Sequence, residues 1–266
     1  MRLLSTGAAG IRAQQVALDV VGDNMANANT TGFKASQPDF AEALATELRP
    51  ANVTLNGAPV GATLNVGAGV FYNAIGTDFK QGAMMTTDRS ADVAINGSGF
   101  FEVTTANGGK AYTRDGNFQV DAAGNLCDTN GNIVTLVDDQ GNVMPNGNLL
   151  NTQELEIGSD GAVTAMLAAQ RMSYGQIPLV VFPNQEGLQK MGSNLYGISA
   201  SSGAAQFAKA GTTGAGSLQS KALEASNVDL AANMTDLIQV QRAYQMNSRM
   251  VSDGDQMWGI ANSLRR

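Results

Sequence analysis

The feature that most constrains this chain is a seven-residue apolar repeat present at both of its ends. Near the C-terminus Leu230, Leu237, Tyr244, Val251 and Trp258 recur at every seventh position, and Met250, Met257 and Leu264 form a neighbouring row. At the front Leu4, Ile11, Leu18 and Met25 do the same, with Ala8, Val21 and Ala28 beside them. A spacing of seven holds side chains along one stripe of an α-helix, so both ends read as amphipathic helices. Gly7, Ala8, Gly10 and Gly22 are small enough to let a second helix approach, at some cost in helix propensity. Asn227 or Asp229 is placed to cap the later helix, and no proline interrupts the chain from there to its end.

A helix with one apolar stripe draws its stability from whatever covers that stripe. Two readings follow. Each end is an ordinary helix packed into a globular domain, or each is an assembly helix that orders against neighbouring subunits. Two stripes at opposite ends also have an economical solution, packing on each other as a two-stranded bundle that leaves the middle as a separate lobe.

The middle reads differently. After the break at Asn24–Lys34, where Gly32 can take positive φ and Phe33 can tuck back as an anchor, a second short helix is expected from Pro38 to Leu48. Residues 51–66, polar and interrupted by Pro59, read as an extended linker. From 67 to 197 the apolar residues alternate, and Asn96-Gly97, Asp115-Gly116, Asn130-Gly131 and Asn146-Gly147 are pairs that hairpin turns favour. Tyr174–Phe182 reads as a strand that Pro178 pushes to an edge or bulge. Residues 198–222, rich in Ser, Gly and Ala, read as a flexible loop leading to the helical segment 223–266. The predicted fold class is α+β. The helical ends, 1–50 and 223–266, form a coiled-coil domain, and a β-rich middle is inserted between them.

Composition narrows the chemistry. With 266 residues the chain can bury a sizeable core. Its 16 basic and 23 acidic residues, net −7, argue against nucleic acid as a partner. There is no histidine, which removes the commonest general base and transition-metal ligand, and the single Cys127 rules out an internal disulfide. Glu102, Asp115, Asp121 and Asp128 could supply a carboxylate pair for glycoside hydrolysis, but Asp in Gly-rich turns is ordinary turn chemistry. Asp128–Asn132 places its glycine at the wrong offset for a calcium loop, and Gly97-Ser98-Gly99 lacks the third glycine of a dinucleotide site. No catalytic, cofactor-binding or metal-binding residue is assigned. Gln14, Gln15 and Asp19 interrupt the first segment, and no run reaches the roughly 20 apolar residues of a membrane span, so neither a cleaved export signal nor membrane insertion is expected.

Four blocks in order carry a family signature. Asn24-Met25-Ala26-Asn27-Ala28-Asn29-Thr30-Thr31-Gly32-Phe33-Lys34 resembles a motif of the rod and hook family of flagellar axial proteins, with Met25 where that motif usually has leucine. Asp92–Phe101 and Tyr112–Phe118 are similar to the family's middle-domain motifs. Ser226–Asp229 with Met234–Asn247 is similar to its C-terminal motif. The chain length and Ile238–Tyr244 are most similar to the distal-rod branch, with proximal-rod and hook paralogues as alternatives, and residues 137–150 look extended relative to that branch.

The resemblance implies a non-enzymatic polymer subunit of the basal-body rod, a hollow shaft carrying torque from motor to hook. The helical ends would form an inner layer and the β-rich middle an outer one. Implied partners are copies of itself, other rod proteins, the hook protein, the flagellar export apparatus, a rod cap and the surrounding bushing rings. The implied location is extracytoplasmic, in the basal body. Implied assembly residues are Leu4, Ile11, Leu18, Met25, Asn27, Gly32 and Phe33, with Leu230, Met234, Leu237, Tyr244, Val251 and Trp258. Two other classes compete: a secreted β-domain that binds a surface, which leaves the terminal repeats unexplained, and a wall hydrolase.

Overall fold

The computed structural model describes residues 2–44, 46–48, 54–55, 58–59, 64–138, 140, 142–144, 149, 153–167, 170–212 and 214–264. They form two compact units. One comprises residues 1–26, 36–77 and 229–266, and the other 27–35 and 78–228. The chain therefore passes between units four times, after residues 26, 35, 77 and 228.

The first unit is built on α1 (Arg2–Ala26, 25 residues) and α2 (Leu230–Leu264, 35 residues), which pack along each other. Asp229 caps α2, its Oδ1 accepting from the N–H groups of Ala231 at 2.9 Å and Ala232 at 3.2 Å. Two glycines of α1 make room at the α1–α2 seam. A Cβ on Gly7 would lie 2.7 Å from Val251 Cγ2, and one on Gly10 would lie 2.7 Å from Asn247 Nδ2, so side chains of α2 fill the space that these glycines leave. Gly22 borders open space and does not share this role. The buried face of α1 is Gly7, Ala13, Ala17, Val20, Val21 and Asn24, whereas Leu4, Ile11, Leu18 and Met25 are only half-buried.

The helix expected over Pro38–Leu48 is instead strand. Ser36–Glu42 pairs antiparallel with Val70–Thr77, and Thr46–Leu48 pairs with Leu64–Val66. Strand pairing across 27 intervening residues overrides local helix preference, and Pro38, lacking an N–H, is tolerated because among the described residues this ribbon has two strands only and so unpaired outer edges. The Val70–Thr77 strand belongs with the helices, so the main stretch of the β-rich unit starts at Asp78 rather than at residue 67, and residues 27–35 belong to that unit as well. Most of the 51–66 linker lies outside the described residues; within it Thr54–Leu55 pairs with Ala58–Pro59.

The second unit is an antiparallel β domain. In its larger sheet the strand Phe100–Thr104 is central. One edge pairs with Lys110–Thr113, and the other is shared by Ile133–Val134 and Leu179–Val181. Alternation along this strand sorts its side chains. Phe101 and Val103 join a core with Ile95, Phe118, Leu126, Val163 and Leu179. Phe100 joins a second cluster with Tyr112, Phe182 and Tyr196, packed edge-to-face at centroid distances of 4.9–6.0 Å. A five-stranded sheet runs in the order Val143–Met144, Leu136–Val137, Gln170–Gln176, Ala162–Leu167, Gln153–Ile157. The strand expected over Tyr174–Phe182 is divided at Pro178 into Gln170–Gln176 and Leu179–Val181, which serve different sheets.

Turn chemistry departs from expectation. Of the four pairs singled out, Asn130-Gly131 closes a hairpin and Asn146-Gly147 lies outside the described residues. Asn96-Gly97 and Asp115-Gly116 join strands that do not pair with each other. A different pattern, Asp-x-x-Gly-Asn, closes three hairpins at Asp121–Asn125, Asp128–Asn132 and Asp138–Asn142. In each, the Asp Oδ1 accepts from the N–H of the closing Asn at 2.8–2.9 Å and Oδ2 from its amide at 2.8–3.2 Å.

The segment 198–222 is not a flexible loop. Gln206–Ala208 and Ser217–Ser220 are paired strands, and Ser202, Ala210 and Leu218 are buried. Residues 222–224 pair with Met84–Thr86, so the final helical segment begins at 230 and not at 223.

Candidate functional site

Two places concentrate the predicted assembly residues. The first is α2. Among its described residues only Gly254 is fully buried. Leu237 and Val251 are half-buried, on the side that carries the seam with α1. Leu230, Met234, Tyr244 and Trp258 are exposed, as are Ile238, Met246, Met257, Ile260 and Leu264. The seven-residue row is therefore split between a seam and solvent, because α2 has a single helix beside it and apolar residues on several faces. Trp258 is 52 % exposed and Leu264 82 %, a long apolar surface that none of the described residues covers.

The second place lies wholly within the β unit and gathers residues 27–35. Gly32 takes φ +66°, and a Cβ there would lie 2.6 Å from Asp115 N, so only glycine fits. Phe33 is buried, with Lys190 Nζ 4.7 Å above its ring. Thr31 Oγ1 donates to Asp115 Oδ1 at 3.0 Å, and Thr30 Oγ1 to Asn27 Oδ1 at 3.2 Å. Lys34 is fully buried. Its Nζ donates to Glu224 Oε1 at 2.6 Å and to Lys80 O at 2.7 Å. Gly82 N donates to the same Oε1 at 2.8 Å, and Gly32 N to the Glu224 carbonyl at 2.8 Å. Arg114 Nη1 stands 3.5 Å from Glu224 Oε2 and donates to Gly97 O at 2.9 Å. Burial lowers the pKa of both Lys34 and Arg114 from their ordinary values, with Glu224 opposing the shift in each case.

Two asparagines stitch the neighbouring backbone. In the helical unit Asn24 exchanges a pair of 2.8 Å bonds with the backbone of Ser36. In the β unit Asn227 accepts from Ala35 N at 2.8 Å and donates to Asp78 O at 2.8 Å and Lys80 O at 3.2 Å. Asn227 thus serves the backbone rather than capping α2.

The sequence reading placed Gly32 and Phe33 among the working residues but passed over Lys34, Arg114 and Glu224. The available signal was a lone charge between apolar or small neighbours, Phe33-Lys34-Ala35 and Leu223-Glu224-Ala225.

The carboxylates weighed for hydrolysis are committed elsewhere. Glu102 is buried and held by Lys110 at 3.0 Å, Thr135 at 3.2 Å and Tyr112 at 3.4 Å; burial, with Glu102 beside it, pushes the Tyr112 phenol up to about 12. Asp115 receives Thr31 and Asn117, and Asp121 and Asp128 close hairpins. A groove of about 290 Å³ in the β unit is lined by none of these four, but by Lys110, Asp138, Asp160, Gln176, Phe207 and Lys209 among others. Among the described residues no cluster of His, Cys, Asp or Glu is arranged to hold a metal ion, and no helix is long and apolar enough to cross a membrane.

Comparison with known proteins places this geometry. Three family models match in chain order: flagella basal body rod protein over residues 4–34, flagellar hook protein FlgE/F/G D1 domain over 94–165, and flagellar basal body rod FlgEFG protein C-terminal over 219–264. The flagellar basal-body rod protein FlgG of Bacillus subtilis is 37 % identical over 270 residues, covering all of both chains. That of Caulobacter vibrioides is 36 % identical over 269 residues, again covering all of both. The flagellar hook-basal body complex protein FlhP of Bacillus subtilis is 32 % identical over 281 residues. The chain therefore belongs to the flagellar rod and hook protein family, as a structural subunit of the basal-body rod similar along its whole length to the distal-rod protein FlgG.

Proposed function

We propose that the chain polymerises with copies of itself through its terminal helices, forming part of the hollow shaft that carries torque outward from the motor. On this reading its other partners are further rod proteins, the hook protein, the export apparatus, the rod cap and the bushing rings, its place is extracytoplasmic, and it has no reaction to catalyse. The supporting observation is the outward face of α2, where Leu230, Met234, Ile238, Trp258 and Ile260 are exposed along 35 residues. Burying a side chain of this size contributes about 1.5–3 kcal/mol, and a water-facing row of them is costly unless something covers it. Neighbouring copies of the same helix pair supply an apolar surface of matching length. Leu237 and Val251 act in this scheme by holding α2 to α1, and Leu230, Met234, Tyr244 and Trp258 by meeting neighbours.

The test is Trp258→Asp. Its side chain is half in solvent, so the monomer should keep its circular dichroism and thermal midpoint while sedimentation and electron microscopy show no polymer. Filaments of normal length from the variant would overturn the reading.

A further inference from the structure

The buried cluster around Glu224 has an unusual charge balance. Two cations, Lys34 and Arg114, meet a single carboxylate, and the three come from residues separated by 80 and 110 positions along the chain. All three are essentially excluded from water, with side-chain exposures of 0 %, 3 % and 0 % for Lys34, Arg114 and Glu224. The other hydrogen bond from Lys34 Nζ goes to a neutral carbonyl, that of Lys80, and Asp78 adds a weaker attraction. The cluster is not fully satisfied even when closed: among the described residues Glu224 Oε2 and Arg114 Nε have no hydrogen-bond partner. A buried ion pair of this kind is weak evidence for stability, but removing its one anion leaves two buried like charges, which is severe.

We propose that this cluster is a completion lock: segment 27–35 docks on the β unit only once residues 222–227 have taken their places there. Before Glu224 arrives, docking would bury Lys34 beside Arg114 with only the weaker pull of Asp78 to oppose the two charges. It would also leave Gly82 N and Gly32 N without the acceptors that Glu224 supplies, and Ala35 N without Asn227. The segment that follows α1 and the segment that precedes α2 are thereby fixed in one site, or neither is. A chain lacking its last fifth leaves the N-terminal motif undocked. The lock belongs to the monomer and stands apart from the polymer reading, since it is assayed without assembly.

The experiment is limited trypsin digestion of the full-length monomer, with cleavage sites read by mass. Lys34 is buried in the parent, so the bond after it is protected, and the buried Tyr112 and Tyr196 report the fold of the β unit through their near-ultraviolet signals. Glu224→Gln should raise cleavage after Lys34 at least tenfold while the near-ultraviolet signals of Tyr112 and Tyr196 persist. Arg114→Gln, which leaves one cation for one anion, should keep Lys34 protected as in the parent. The proposal fails if Glu224→Gln leaves Lys34 protected, or if Arg114→Gln exposes Lys34 as much as Glu224→Gln does. A second measurement covers a variant that does not fold. In refolding of the parent, the near-ultraviolet signals of Tyr112 and Tyr196 should return before Lys34 is protected from short trypsin pulses, and simultaneous recovery would overturn the lock.

Discussion

Asp115 shows how one residue answers to its surroundings. Burial raises its pKa, against the pull of hydrogen bonds from Asn117 N and Thr31 Oγ1, with Asp128 and Asp92 adding to the rise. A carboxyl whose folded pKa lies above its unfolded value binds protons more readily when folded. Both states are protonated below the unfolded pKa of about 3.9, and the penalty for ionising grows as pH rises through the folded value. Asp115→Asn keeps an acceptor for Thr31 and never ionises. It should raise the urea midpoint at pH 7 and leave it unchanged at pH 3; a gain of the same size at both would refute the assignment. Of this setting the sequence showed only the turn dipeptide Asp115-Gly116. What raises the pKa is burial beside Gly32, with the charges of Asp128 and Asp92 adding to it, none of them a near neighbour along the chain.

Among elements, the three Asp-x-x-Gly-Asn hairpins make the same bonds in different environments. Asp128 and Asn132 are buried, whereas the bonds of Asp138 and Asn142 are exposed to water. Losing a buried acceptor strands its donors, while water replaces a lost exposed one. Asp128→Ala should therefore cost about 2 kcal/mol in denaturant unfolding, within the usual range for a broken buried network, and Asp138→Ala under about 0.5 kcal/mol, the usual surface range. Equal losses would mean that the turn bonds themselves, and not burial, carry the effect. The repeat was present in the sequence at spacings of 7 and 10 residues and was legible in principle. The strand at Ser36–Glu42 was not, because its partner Val70–Thr77 lies beyond any local window.

At the scale of the whole molecule, the helical unit and the β unit have separate sources of stability. The β unit holds a core of fully buried aliphatic and aromatic side chains, whereas α2 keeps most of its apolar surface in solvent. Leu237→Asp places a charge at the half-buried seam with α1 and should cost about 2–3 kcal/mol there. Helical ellipticity and assembly should both be lost, while near-ultraviolet signals from Tyr112 and Tyr196 persist. Loss of those aromatic signals at the same midpoint would show the two units to be one cooperative block. Paired with Trp258→Asp, the variant separates a residue that holds the monomer's helices together from one that faces outward.

The sequence by itself determined that both ends are helices, that the middle is β-rich and that Gly32 is free to take a left-handed conformation. Periodicity and residue-level sterics act over a few neighbours, and four motif blocks in order carried the family. Only the tertiary structure decided which face of each helix is buried, that 36–42 pairs as strand with 70–77, and that 198–222 is ordered. It alone brought Lys34, Arg114 and Glu224 into one dry site. The physical reason is range: burial and ion pairing depend on residues 190 positions apart meeting in space, and no local pattern records which lone charge will find which.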